Sequence, residues 1–195
     1  MEQLGIIIKI ITDPEQGFNE LLASRKPLWL SSLTAAVGLF CQSIAVLLID
    51  NLGSEQVTSM LTLGYLAKLF AFVVFWITMT SLFHFIASWH KTEGSINNLF
   101  ILFGASLLPL IFLPAGAILS RGLGLGSHLL YIFIYLVIII WILFLQVKSL
   151  KIIYHLQTGK AISVYIIPFI ATFFLLVVSL ILFTILTITL ISKSF

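Results

Sequence analysis

Five long apolar runs, separated by short polar segments, constrain the fold of this chain more than any other feature. The runs cover residues 28–49, 60–86, 99–119, 129–147 and 164–191. An α-helix rises about 1.5 Å per residue, so about 20 apolar residues cross the roughly 30 Å hydrocarbon core of a bilayer. Each run is therefore long enough to span a membrane as a helix.

The composition of the chain supports this interpretation. Because 61% of its 195 residues are hydrophobic, a soluble domain would have too few polar side chains to cover its surface. The runs also lack the alternation of period two that is typical of strands in a membrane barrel. We therefore predict an all-α fold, a polytopic membrane helical bundle with five transmembrane helices, forming one domain over residues 28–195.

Residues 1–27 are predicted to form short amphipathic helices at the membrane interface. Apolar residues that recur at helical spacing indicate the first helix: Leu4, Ile7, Ile8 and Ile11. A second helix starts at Asp13, because Pro14 suits the first helical position behind a capping aspartate. Phe18 and Leu21 then form its apolar face. We expect an anchor on the membrane surface, and a partner-docking face is the alternative.

Lysines and arginines are distributed unequally between the two sides of the predicted bundle. With a cytoplasmic N-terminus, seven fall on the inner side and two on the outer side: Lys9, Arg25, Lys26, Lys91, Lys148, Lys151 and Lys160 against Arg121 and Lys193. Cytoplasmic loops of membrane proteins carry an excess of these residues. We therefore predict that the N-terminus is cytoplasmic and that the C-terminus lies outside.

The titratable residues disfavour several kinds of activity. None of the seven acids lies inside a run, and no carboxylate follows Glu93, although ion-coupled transport and acid–base hydrolysis in membranes usually depend on such groups. Cys41 is the single cysteine, so the chain cannot form an intramolecular disulfide or a thiolate metal cluster. We expect no enzyme activity and no cofactor. The net charge of +3 is too small to suggest nucleic acid as a partner.

Lys68 is the one charge clearly within an apolar run. An ammonium group at the centre of a bilayer costs about 3 kcal/mol or more. The ordinary interpretation is that Lys68 extends to the outer headgroups, toward Asp50 or Glu55. The functional alternative is that Lys68 faces the bundle and receives a lipid phosphate.

A group of polar and aromatic residues surrounds the inner end of the second run: His84, Trp89, His90, Lys91 and Glu93. His84 and His90 are six residues apart and lie on different helix faces, which disfavours a metal site. An interfacial belt at headgroup depth explains the group without a metal. Contact of His84, His90 and Glu93 with lipid or a partner is the functional alternative.

Two prolines divide the third run. Pro109 and Pro114 each remove a helical hydrogen bond, which predicts a kink. A kink of this kind usually serves packing. Kinks near mid-membrane also line cavities in transporters, so the alternative is a lipid-sized cavity beside the third span.

The segment between the fourth and fifth runs is predicted to be a basic inner loop that contains Gln146, Lys148, Lys151 and His155. Its charge is explained by membrane topology. The alternative is that Lys148 and Lys151 recognise acidic lipid headgroups.

The first run carries small residues four positions apart, as in the pairs Ser31 and Ala35, and Thr34 and Gly38. This spacing allows helices to approach closely. The sequence leaves open whether this face packs within the bundle or against a second protomer. The 17 phenylalanines are interpreted as lipid-facing and core bulk.

Three stretches carry the motifs on which a family resemblance depends: ITDPEQGFNELLASRKPLW, HFIASWHKTEGSINNLFILFGASLLPLIFLP and VKSLKIIYHLQTGKAISVY. Asp-Pro precedes a Phe, a polar break with Gly precedes a third span with prolines, and Lys-Ala opens the fifth. With these features the chain resembles bacterial members of the YIP family, relatives of the Ypt/Rab-interacting proteins. The resemblance implies five spans, a cytoplasmic N-terminus and a C-terminus outside the bacterial inner membrane. One departure is Glu93-Gly94, where the family often has Gly-Gly.

From the residues and the resemblance we expect a non-enzymatic, multi-pass membrane protein of YIP type that organises the membrane or binds lipids and partners. Membrane lipids are the expected partners, and a second copy of the chain or another membrane protein is a further one. The alternative function is a lipid or amphiphile carrier, or flippase, that uses a cavity beside the proline-broken third span.

Overall fold

The computed structural model describes residues 2–50, 54–89, 93–124 and 127–193. Within this part of the chain lie the α-helices α1 (Glu2–Thr12), α2 (Pro14–Ala23), α3 (Pro27–Asp50), α4 (Ser54–Ser59), α5 (Tyr65–Ser88), α6 (Ile96–Ala105), α7 (Leu113–Gly122), α8 (Ser127–Tyr154) and α9 (Thr158–Lys193). A π-helical segment, Met60–Gly64, joins α4 to α5, and a 3₁₀ segment, Leu108–Phe112, lies between α6 and α7. The described residues contain no strand, and the predicted all-α class is confirmed.

Five stretches of helix are long and apolar enough to cross a membrane: Pro27–Asp50, Val57–Ser88, Ile96–Gly122, His128–Tyr154 and Thr158–Ile185. They match the five predicted runs in number and order. The second span continues from α4 through the π-helical segment into α5, and the third consists of α6, the 3₁₀ segment and α7. The predicted bundle of five apolar helices is confirmed.

The third span forms the centre of the bundle. Its most apolar window is 72% buried, whereas that of the fifth span is 6% buried. The first span packs along all three parts of the third, while α8 contacts α6 and α7 from another side and α5 contacts α6. The other four spans therefore present their outer faces to lipid, as a membrane bundle requires.

The break in the third span follows from its two prolines. Pro109 lies in the first turn of the 3₁₀ segment, and Pro114 lies in the first turn of α7. Proline has no backbone N–H to donate, but the first turn of a helix does not need that donor. The third span is therefore broken into two helices separated by a 3₁₀ segment, and a bend of its axis stays a prediction.

The small-residue face of α3 packs inside the bundle. Ser31, Thr34, Ala35 and Gly38 are buried. The Ser31 hydroxyl donates to the Ile101 carbonyl over 2.5 Å, and a Cβ added to Gly38 would lie 3.0 Å from the Leu107 carbonyl oxygen. The question that the sequence left open is therefore answered for these residues, which pack against the third span.

The second N-terminal helix, α2, begins where the sequence predicts, but its apolar face packs against the rest of the protein. Asp13 caps α2 by accepting the Gln16 N–H over 3.3 Å, and Pro14 occupies the first turn. Phe18 and Leu21 are fully buried against the bundle. The predicted helix start at Asp13 is therefore present, and the position of α1 and α2 at the membrane interface stays a prediction.

The buried face of α1 differs from the predicted one. Ile6 and Ile10 are buried, while Leu4 and Ile8 are more than half exposed. Since the apolar side of α1 is broad, spacing alone does not select the residues that pack. The helix contacts α2 and the 3₁₀ segment of the third span, so its packed side is set by those neighbours.

The predicted basic loop after the fourth run is largely helical, which corrects the sequence-based boundary. The α8 helix continues to Tyr154, because Leu150 and Ile153 give its last turns a buried apolar face. His155 then ends the helix with a φ of 50°, the left-handed conformation common after helix C-termini. Lys148 and Lys151 therefore lie on a helix rather than in a loop.

The close packing of α5 and α3 on α6 predicts a site-specific effect at Gly104. A Cβ at Gly104 would clash with the Ser31 hydroxyl and the Trp76 ring, whereas a Cβ at Gly5 would meet no atom within 4 Å. Gly104→Ala should lower the free energy of unfolding by about 1–3 kcal/mol, as overpacking does. Gly5→Ala should be neutral or stabilising, since alanine favours helix. Thermal unfolding in detergent measures both, and equal melting temperatures for the two variants would contradict this packing.

Candidate functional site

Several helix ends meet at one end of the bundle, which we call the α2 end. The α2 helix contacts the start of the third span and α8, and the end of α5 reaches the end of α8. The sequence-predicted candidates His84, Glu93, Lys148 and Lys151 lie here. The structure therefore places four of the eight predicted contacts in one region, while Lys68 and the two prolines lie elsewhere, and His90 is outside the described residues.

His84 and Tyr154 form a polar contact between α5 and α8. The His84 Nδ1 atom lies 2.6 Å from the Tyr154 hydroxyl oxygen. The Tyr154 ring is 1% exposed and packs against Gly94, where an added Cβ would overlap the ring. The tyrosine ring thus leaves no room for a side chain at Gly94, whereas the neighbouring Glu93 is exposed.

The metal alternative gains no support from this contact. Among the described residues, no three His, Cys, Asp or Glu side chains lie close enough to hold a metal ion. The His84 ring nitrogen that faces α8 is hydrogen-bonded to the phenol group of Tyr154. A protonated phenol is a weak metal ligand.

A lipid-facing groove of about 310 Å³ runs between α8 and α9. It is lined by Ile140, Leu143, Phe144, Val147, Lys148, Lys151, Thr158 and Ile162. Ile140 and Lys151 are eleven residues apart on one helix, so the groove extends about 16 Å along α8. Its walls are apolar over most of that length, and both lysines lie at the α2 end.

The two lysines of this groove differ in their partners. The Lys148 ammonium lies 3.1 Å from the Glu15 carboxylate of α2. Lys151 is half-buried and makes no ion pair with a described residue. The groove therefore offers one lysine that is already held by a carboxylate and one that is free to meet an anion.

Lys68 lies between the second and first spans. Its ammonium donates to the Ser43 hydroxyl of α3 over 3.2 Å, and Ser43 is buried. Tyr65, one turn earlier, donates to the Ala36 carbonyl of the same helix over 2.8 Å. Lys68 thus contacts α3 rather than Asp50, and the Glu55 side chain lies outside the described residues. Phosphate binding at this lysine stays a prediction.

A second cavity, of about 220 Å³, lies beside the break in the third span. It is lined by Phe72, Phe75, Trp76, Met79, Phe83, Phe103, Leu107, Leu143, Gln146, Tyr165 and Phe169. Leu107 directly precedes the 3₁₀ segment, and the remaining walls come from α5, α6, α8 and α9. A cavity beside the proline break is therefore present, although neither proline lines it.

Polar groups are few in this cavity. The Tyr165 hydroxyl donates to the Gln146 side-chain oxygen over 2.5 Å. The Trp76 indole N–H is buried and has no hydrogen-bond partner among the described residues. The Trp76 ring stacks on Phe100 with centroids 4.0 Å apart.

The family model of the Yip1 domain matches residues 8–181. The chain belongs to the Yip1 domain family. Comparisons with curated proteins and with solved structures gave no match. The matched residues run from α1 into α9, so the Yip1 domain includes the α8–α9 groove, the aromatic cavity and Lys68.

Sequence reasoning gave a cavity beside the third span as an alternative, but it missed the aromatic lining of this cavity in the Yip1 domain. The sequence pattern that indicates this lining lies on α5, where large side chains recur on one helix face: Phe72, Phe75, Trp76, Met79 and Phe83. The pattern was hidden because α5 is apolar on all sides, so a stripe of aromatic rings does not stand out. Gln146, a single amide near the end of the fourth run, is the second signal.

The Glu15–Lys148 pair predicts that α2 and α8 are energetically coupled. Both side chains are partly exposed, so the pair should contribute about 0.2–1 kcal/mol. Glu15→Gln and Lys148→Gln should each speed tryptic cleavage after the exposed Arg25 by about 1.4- to 5-fold, because α2 opens more often. The double variant should be cleaved no faster than the single ones. Effects that multiply in the double variant would contradict the coupling.

Proposed function

We propose that this Yip1-domain protein is a non-enzymatic membrane protein that binds an anionic phospholipid in the α8–α9 groove. The observation that carries the proposal is the combination of an apolar groove facing lipid with two lysines at one of its ends. Because occupancy of the groove would depend on the lipids present, the state of the protein would depend on the lipid composition of the surrounding leaflet. Membrane organisation is the role that such a connection supports.

The dimensions of the groove suit a phospholipid. An acyl chain can follow the apolar side chains Ile140, Leu143 and Phe144, which are exposed on the surface of the bundle. The phosphate then lies at the level of Lys148 and Lys151, where each lysine near an anionic membrane surface contributes about 1 kcal/mol. The groove thus matches an amphiphile along its whole length.

The distribution of basic residues favours a particular leaflet. Lys9, Arg25 and Lys26 belong to the N-terminal segment that packs at the α2 end, and Lys160 opens α9 beside the groove. This excess of cations is typical of the cytoplasmic side, whose leaflet is rich in anionic lipid. We infer that the α2 end faces the cytoplasm in the inner membrane.

A role without catalysis fits the chemistry of the described residues. The acids among them lie near the helix ends or between helices, as in Asp13, Glu15 and Glu20, and Glu20 pairs with Lys9. That contact lowers the pKa of the Glu20 carboxyl below its usual value. The Glu20 carboxylate is thus held in its charged form as a structural partner, whereas a general acid must be protonated to donate its proton.

Neutralising Lys151 tests the proposal. Lys151→Gln should lower the retention of phosphatidylglycerol relative to phosphatidylcholine by about fivefold, the equivalent of about 1 kcal/mol. Lys160→Gln is the matched control, since this exposed lysine lies at the same end but does not line the groove. Native mass spectrometry of each protein, loaded from mixed vesicles, measures retained lipid. Equal losses in both variants would mean that general charge, not the groove, holds the lipid.

An amphiphile carrier is the second candidate function, because the third span is broken beside a cavity. Reconstituted vesicles with a fluorescent phospholipid in one leaflet distinguish the two functions. A binding protein should leave the rate of lipid exchange between leaflets within about twofold of protein-free vesicles. Exchange that is accelerated by protein and slowed by filling the cavity with Leu107→Phe would favour the carrier instead.

A further inference from the structure

We propose that the aromatic cavity between α5, α6, α8 and α9 binds the head of a neutral, flat, apolar molecule that carries a carbonyl group, the chemistry of a membrane quinone. This site is separate from the lipid groove. The two share Leu143 at one edge, but the aromatic cavity lies on the α5 side and contains no lysine. Its ligand is therefore recognised by different chemistry.

The walls of the cavity favour a flat ring. Seven of its lining residues are aromatic, and they come from three different helices. Phe83 stacks on Tyr165 with centroids 5.1 Å apart, and Phe83 also meets Phe103 edge-on at 5.3 Å. Aromatic faces and edges attract a conjugated ring by about 0.5–1.5 kcal/mol for each well-placed contact, beyond the burial of apolar area. A flexible acyl chain gains no such geometric preference.

The unused hydrogen-bonding groups of the cavity are donors. The Gln146 side-chain oxygen accepts from Tyr165, which leaves the amide N–H₂ of Gln146 for another partner. The Trp76 indole N–H also has no partner among the described residues, but its nitrogen is fully buried, so Gln146 is the donor on which the site depends. Buried donors without partners are costly, so a ligand that supplies acceptors is favoured. A carbonyl oxygen supplies acceptors without charge.

The absence of charged side chains from the lining residues favours a neutral ligand. None of the lining residues is Asp, Glu, Lys, Arg or His. A charged ligand group would lose its hydration in this cavity without gaining a counter-ion, at a cost that excludes tight binding. An uncharged carbonyl needs only one or two donors.

The size of the cavity indicates that a ring enters while a tail stays in the bilayer. Its volume of about 220 Å³ is below the roughly 300–1,000 Å³ of pockets that enclose a whole drug-sized ligand. Phe75 and Phe169 line the cavity and are exposed to lipid, whereas Trp76 and Phe103 are buried at its inner wall. The opening thus lies between α5 and α9, on the lipid side.

Tryptophan fluorescence tests the site directly, with menadione as the probe because it is a naphthoquinone without a long tail. The chain has four tryptophans, so replacing three by Phe leaves one reporter. A protein that keeps Trp76 should show saturable quenching by menadione. The matched protein that keeps Trp141, which stacks on Phe112 outside the cavity, should show a linear response from probe dissolved in the micelle.

Two further comparisons test the chemistry. Gln146→Met in the Trp76 reporter should weaken menadione binding about three- to tenfold, the effect of one lost hydrogen bond. Gln42→Met is the control, since this amide also bonds a tyrosine, Tyr135, but lies on α3. In wild-type protein, menadione should raise the melting temperature, and 2-methylnaphthalene, which has the rings without carbonyls, should raise it less. Trp76→Phe should reduce the rise caused by menadione.

The proposal is overturned if both reporters are quenched linearly, or if Gln146→Met binds as wild type does while still folded. Dioctanoylglycerol, which carries ester carbonyls on flexible chains, should not displace the probe. Displacement at concentrations comparable to menadione would identify the cavity as a site for lipid esters and would also overturn the assignment to a ring.

Discussion

Burial of a broken helix at the centre of the bundle is the constraint on which the rest of the structure depends. Where Pro109 ends the regular pattern of α6, backbone groups lose their helical partners and must be satisfied inside the membrane. The structure does this locally, since the Leu107 N–H donates to Gly104 and the Leu110 N–H donates to Leu107. Such a segment cannot present its backbone to lipid, so the third span takes the centre and the other four spans surround it. The Ile111 and Phe112 side chains of the 3₁₀ segment nevertheless reach the surface.

The small residues of α3 and α6 follow from this arrangement. Ser31, Gly38 and Gly104 let neighbouring helices approach the broken span, where backbone carbonyls at Ile101 and Leu107 lie close to α3. Packing around this interruption is less regular than packing of continuous helices. The aromatic cavity lies beside the interruption, and the lipid groove lies between α8 and α9.

The bundle itself could be predicted from the sequence, because five long apolar runs leave no other way to satisfy the backbone in a membrane. The helix start at Asp13 and the division of the third span could also be predicted, because helix capping and the effect of proline depend on neighbouring residues in the chain. The position where the fourth transmembrane helix ends depends on packing with other helices rather than on neighbours in the chain. Lys148 and Lys151 suggested a loop by their charge, whereas burial of the opposite face of α8 keeps them helical.

The candidate sites were harder to predict for a related reason. Helices that are apolar on all sides carry no periodic signal, so the sequence could not tell which faces of α5 and α8 meet other helices. Lysines stood out by charge, and two of them do line the groove. Trp76 and Gln146 did not stand out, because their significance depends on hydrogen bonds that are formed or left open only once α8 and α9 pack against α5.

Mapping contact with lipid tests the central claim, the enclosure of the third span, without changing the protein. A phospholipid with a photoactivatable diazirine in its acyl chain inserts into whatever it touches, and mass spectrometry locates the insertion sites. We predict dense labelling of residues 169–185 in α9, which are exposed, and sparse labelling of residues 99–110 in the third span, which are buried except for the half-buried Phe100. Labelling of residues 99–110 at the density found in α9 would contradict a bundle built around a shielded, broken helix.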